Sequence, residues 1–132
     1  MIPKILHQIW LSNDPVPELF ERNRQTWLRV HPHWEHRLWL SNTLPPLVNQ
    51  ELFDQQKAWV VKADILRLEL IYRFGGVYAD LDTEALKPLD PLLDQQALLV
   101  MEQPDNWIIG NAYLGGQVGH PFFRQLVGAV GP

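Results

Sequence analysis

The chain has 132 residues, 46% of them hydrophobic and 20% charged, which suits one globular domain burying roughly two-thirds of its unfolded surface and excludes a disordered tail or a coiled coil. Eleven Lys and Arg against fifteen Asp and Glu give a net charge of -4, the opposite of the basic footprint of a nucleic-acid binder. With no cysteine there is no disulfide framework, thiolate zinc site or Cys nucleophile; with no run of about 18 apolar residues and no apolar leader after Met1, the expectation is a soluble cytoplasmic protein, peripheral membrane association left open.

Ile5 to Leu11 is an apolar and aromatic run ended by Ser12-Asn13-Asp14-Pro15, a buried first strand followed by a turn. From Pro17 to about Val30, Leu19, Phe20, Trp27 and Leu28 recur at near-helical spacing among Glu and Arg, and His31-Pro32 closes this amphipathic helix. His36 to Leu40 reads as a second strand, followed by a Pro45-Pro46 turn and a short helix. The most regular element runs from about Ala58 to Phe74, where Val61, Ile65, Leu68 and Tyr72 share one helical face. Gly75-Gly76 stops it, and Arg73 complements the negative end of the helix dipole.

Val77-Tyr78-Ala79 is then a short strand, Ala97 to Met101 and Trp107 to Leu114 are two more, and Pro121 to Val130 is a helix with proline in its first turn. Strands alternating with helices predict an α/β fold with a parallel or mixed sheet covered on both faces. The last helix runs into Gly131-Pro132 with no element after it. The expectation is one domain over 1–132 that lacks carboxy-terminal elements.

Asp80-Leu81-Asp82 directly follows a predicted strand, where ligand sites of open α/β sheets gather. With eight Asp in the chain, such a triplet arises about 0.5 times by chance, so its position argues more strongly than its pattern. In an extended segment residues i and i+2 point to one side, so both carboxylates would converge on one hard cation. Two carboxylates suit Mg²⁺ or Mn²⁺ that also takes water and phosphate oxygens.

Asp64 and Arg67, three apart on the preceding helix, would be carried toward this site by the Gly-Gly reversal; Arg67 would meet a phosphate and Asp64 would accept hydroxyl hydrogen bonds. Trp10, near the end of the first strand, would stack on a flat base. Each has a plainer alternative: a surface ion pair for Asp64 and Arg67, solvated turn residues for Asp80 and Asp82, and a core aromatic for Trp10. The other five tryptophans read as core or rim packing, and His31-Pro32-His33 as an ordinary loop. No zinc-type histidine spacing, G-x-S-x-G, Walker A or G-x-G-x-x-G is present.

Three ordered blocks, Ile2 to Trp10 (IPKILHQIW), Lys62 to Arg67 (KADILR) and Gly75 to Asp82 (GGVYADLD), closely resemble glycosyltransferase family 32, the DXD-containing sugar transferases. Gly110-Asn111-Ala112 and Gly119 to Phe122 are similar to a weaker fourth block. The resemblance implies a GT-A fold and retaining transfer of a hexose from a UDP- or GDP-sugar to a glycan, lipid-linked or protein acceptor, as in polysaccharide biosynthesis, with Mn²⁺ or Mg²⁺. It further implies that Asp82 binds the metal directly and that Asp80 contacts the donor ribose and the metal or its water. Asp64 would hold sugar hydroxyls, Arg67 sugar or phosphate, and Trp10 the base, while Tyr78 lines the pocket and Asn111 lies near donor sugar or acceptor. Two other readings stay open. One is a non-catalytic sugar-nucleotide-binding module; the other is a haloacid-dehalogenase-type phosphotransferase with Asp80 as nucleophile, against which stands Glu84, where that pattern has Thr or Val.

Overall fold

The computed structural model describes residues 1–103 and 108–130, and side chains of 1–99 and 113–130. The elements follow in the order β1 (Ile5–Trp10), α1 (Glu18–Val30), β2 (Glu35–Leu40), α2 (Gln50–Gln55), α3 (Trp59–Phe74), β3 (Gly76–Ala79), a 3₁₀ turn (Asp90–Leu92), β4 (Ala97–Gln103), β5 (Ile108–Gly116) and α4 (Pro121–Val130). Every expected element is present, with ends moved by at most two residues. Five strands form one sheet in the order β2-β1-β3-β5-β4. β1 lies between β2 and β3 and is parallel to both, whereas β5 runs antiparallel to β3 and to β4. The sheet is thus mixed.

Strand alternation divides the core between two faces. On one, Leu6, Val77 and Ala79 pack against Trp27 of α1 with Trp34 and Leu93; on the other, Ile9, Tyr78 and Leu114 meet Phe53 of α2, Leu66, Leu70 and Ile71 of α3, and Phe123 of α4. The expected stripe on α3 is displaced. Val61 is exposed and Leu68 and Tyr72 half-buried, while Leu66, Leu70 and Ile71 are fully buried, because the helix lies between the sheet and α4 and buries a broader face than one stripe. Leu19 of α1 is likewise exposed.

Among the buried polar residues that carried no prediction, Glu69, His31 and His7 tie separate elements together. The Glu69 carboxylate accepts the Val48 and Asn49 backbone N–H groups at 2.5 and 2.9 Å, fastening the segment before α2. His31, expected in an ordinary loop, is buried and joins elements: its ring contacts the Trp27 carbonyl at 3.2 Å and accepts the Leu89 N–H at 2.9 Å. His7 is completely buried on β1. The Trp39 indole N–H can only donate, so His7 Nδ1 accepts it at 3.0 Å and Nε2 carries the proton toward the Gly75 carbonyl at 2.8 Å.

This pairing fixes His7 as neutral, and burial pushes its pKa from 6.5 down to about 4, the Gly75 carbonyl offsetting part of the fall. The unfolded chain takes up the proton near 6.5, so stability is complete above that pH and falls as pH drops toward 4, by about 3 kcal/mol in all. Denaturant midpoints measured across pH 4 to 8 should show this loss. His7→Phe should be less stable at neutral pH and lack most of the acid limb.

Candidate functional site

The corner after α3 is built by two glycines. Gly75 ends the helix at φ +68°, its N–H on the Ile71 carbonyl at 2.9 Å. Gly76 begins β3 at φ +103°, and a Cβ there would lie 2.5 Å from the Ile5 carbonyl oxygen. This close approach brings β3 alongside β1, so that Trp10 and Asp80 come off neighbouring parallel strands at the same edge.

A cavity of about 370 Å³ opens at that edge, walled by Trp10, Arg67, Tyr78, Asp80 and Asp82 together with Phe20 and Trp59. Five of the predicted residues therefore share one cavity. Asp64 lies on the wall of an adjoining groove that also includes Arg67. Asn111 and Trp107 lie outside the residues whose side chains the structure describes.

Arg67 organises the polar side. It is buried and meets Asp64 at 3.1 Å and Asp80 at 3.4 Å, donates from Nε to the Ala63 carbonyl at 3.3 Å, and stacks over the Tyr78 ring at 4.5 Å. The pair with Asp64 is more than a surface ion pair, because its guanidinium is held inside the fold and reaches a second carboxylate. The Tyr78 hydroxyl donates to Asp80 Oδ1 at 2.5 Å, the same oxygen that faces Arg67. Burial pushes the Tyr78 phenol far above its ordinary value, so it remains a donor.

Burial also raises Asp80; the Tyr78 hydrogen bond and Arg67 oppose this, while Asp82 and Asp64 add to it. Three carboxylates around one guanidinium leave a formal excess of two negative charges. The acidic pair does not converge by strand alternation, as expected from an extended segment. β3 ends at Ala79 and residues 81–82 form a turn, which brings exposed Asp82 to the same cavity as half-buried Asp80.

The donor set fits a hard divalent cation held openly. It is oxygen only and negatively charged, and two carboxylates would leave coordination positions for water and ligand oxygens. Among the described residues no group of three or more His, Cys, Asp or Glu could hold a metal ion by itself.

Trp10 is no core residue. It is half-buried, its indole N–H donates to the Asp14 carbonyl at 2.7 Å, and the Phe20 ring meets it edge-on at 5.9 Å. Trp59, read from sequence as packing, is 47% exposed on the same cavity. Its place at the start of α3, one turn before Ala63, was the available signal.

Residues 17–99 match the family described as "Glycosyltransferase sugar-binding region containing DXD motif". Inositol phosphoceramide mannosyltransferase 3 of Schizosaccharomyces pombe is 32% identical over 96% of this chain and 36% of its own length. Mannosyl phosphorylinositol ceramide synthase SUR1 of Saccharomyces cerevisiae is 33% identical over 96% of this chain and 34% of its own. An initiation-specific alpha-1,6-mannosyltransferase of Candida albicans is 27% identical over 97% and 42%. The chain thus spans about a third to two-fifths of the length of these curated relatives. Among solved structures, PaToxG glycosyltransferase superposes with a TM-score of 0.69 at 13% identity, over 96% of this chain and 59% of that one, and the likeness gives the fold as GT-A-like. By its family match and these relatives, the chain belongs to the DXD-containing glycosyltransferase sugar-binding family.

Proposed function

We propose that this chain is the donor-handling domain of a glycosyltransferase of the mannosyltransferase type, binding a nucleotide-diphosphate hexose with Mn²⁺ or Mg²⁺ and passing the hexose, with retention, to a glycan or lipid-linked acceptor. The observation that supports this best is the single cavity walled by Trp10, Arg67, Tyr78, Asp80 and Asp82 at the carboxyl ends of β1 and β3. The names of the yeast relatives carry mannose, and two of them also carry inositol phosphoceramide or phosphorylinositol ceramide.

Trp10, steadied by Asp14 and Phe20, offers its indole face to the base. Asp80 and Asp82 would hold the divalent ion, which when bound neutralises the pyrophosphate oxygens. Breaking the anomeric C–O bond places negative charge on the departing nucleotide diphosphate. Arg67 is already aligned by Asp64, Asp80 and the Ala63 carbonyl, so it meets that charge without reorganising and stabilises it more than the ground state. The Asp64 carboxylate, 45% exposed beside Arg67, would accept hydroxyl hydrogen bonds from the transferred sugar. Among the described residues no helix is long and apolar enough to cross a membrane.

Calorimetric titration with GDP-mannose and UDP-glucose, with and without Mn²⁺, tests this reading. Metal-dependent heat with at least one donor is expected; none with either overturns it. Slow metal-dependent release of free sugar would distinguish live chemistry from a binding-only module.

A further inference from the structure

Resting on the donor-binding reading, we propose that Asn23 of α1 is a positioning residue for the acidic pair: its side-chain amide fixes the peptide between Asp80 and Asp82 and thereby aims Asp82. The Asn23 Nδ2–H donates to the Leu81 carbonyl at 3.2 Å across 58 residues of sequence. That carbonyl belongs to the peptide leading into Asp82. Among the described residues, the Asp82 side chain makes no hydrogen bond or ion pair of its own, and it is exposed. Its carboxylate is therefore aimed by its backbone alone.

The backbone is held from one helical face. Trp27 donates its indole N–H to the Thr83 carbonyl at 3.1 Å, the Thr26 hydroxyl accepts the Ala85 N–H at 2.8 Å, and Asn23 lies one turn earlier. Trp27 and Thr26 hold the segment beyond the pair; Asn23 reaches between its members. Phe20, a further turn toward the start of α1, meets Trp10 edge-on and lines the cavity. One face of α1 thus supports both the aromatic wall and the acidic turn, setting the spacing between them. Groups that orient metal ligands from behind typically change metal affinity 10- to 100-fold when removed.

The test uses the full chain with Asn23→Ala and Asn23→Asp, the latter keeping the size while losing the donor. UDP and GDP are titrated with and without Mn²⁺, and hydrogen exchange is followed at the amides of Leu81, Asp82 and Thr83 in metal-free protein. Both variants should lose tenfold or more of the Mn²⁺-linked affinity while metal-free nucleotide affinity stays at the wild-type value, a split that general destabilisation would not produce. Exchange at the three amides should quicken several-fold. Mn²⁺-linked affinity within twofold of wild type in Asn23→Ala overturns the proposal. Should the unaltered chain show no Mn²⁺-linked binding, the donor reading fails by itself; exchange then decides for Asn23, faster exchange supporting its hold on the turn and unchanged exchange removing it.

Discussion

Asp82→Asn is expected to abolish metal-dependent donor binding while leaving the fold intact. Asparagine keeps the size and one oxygen, but the corner formed by Asp64, Arg67, Asp80 and Asp82 loses one of its two excess negative charges. A hard cation held by only two carboxylates then keeps one charged ligand. A weakening of 100-fold or more follows, about 3 kcal/mol. Stability should stay within about 0.5 kcal/mol of wild type, because Asp82 is exposed and bonded to nothing among the described residues. Titration of a nucleotide sugar with Mn²⁺, beside a denaturant curve, reads both quantities. Unchanged affinity would mean that the cation is held elsewhere.

Local punctuation made much of this molecule legible. Ser12 to Pro15 ended β1, His31-Pro32 ended α1, and Gly75-Gly76 ended α3, each within a residue or two of the observed boundary. Carrying Asp64 and Arg67 toward Asp80 needed only the length of α3 and the reversal after it. What local pattern could not reveal was any relation set by long-range pairing. The insertion of β5 beside β3, antiparallel to it, is one such relation. The grip of Asn23 on Leu81 is another, joining residues 58 apart with no periodic signal. The roles of Glu69 and His7 carry no local signal, because the partners that explain their burial, the Val48 and Asn49 amides and the Trp39 indole, lie 20 to 32 residues away. Trp59, read as core or rim packing, lies on the rim: it is 47% exposed and lines the cavity beside α3, a placement that an aromatic residue's usual burial does not signal.

Gly76→Ala should be the most destabilising single substitution at this corner, costing roughly 3 to 5 kcal/mol. Two penalties combine. At φ +103° an L side chain is strained, and the added methyl would lie 2.5 Å from the Ile5 carbonyl oxygen and 2.9 Å from the Ile5 Cβ. The obstacle is the backbone of β1, which cannot swing aside as a flexible side chain would. Relief requires β3 to move away from β1, disturbing the registers of Leu6 with Val77 and His7 with Tyr78. Against a total stability of about 5 to 15 kcal/mol, this loss approaches the whole for a domain of this size. Gly128→Ala supplies the contrast: it lies inside α4 with nothing within 4 Å of the added carbon, so alanine should stabilise the helix by about 0.5 to 1 kcal/mol. Urea unfolding of both variants should give shifts of opposite sign. If Gly76→Ala unfolds like wild type, the β1–β3 approach is looser than drawn, and the common edge from which Trp10 and Asp80 project loses its physical basis.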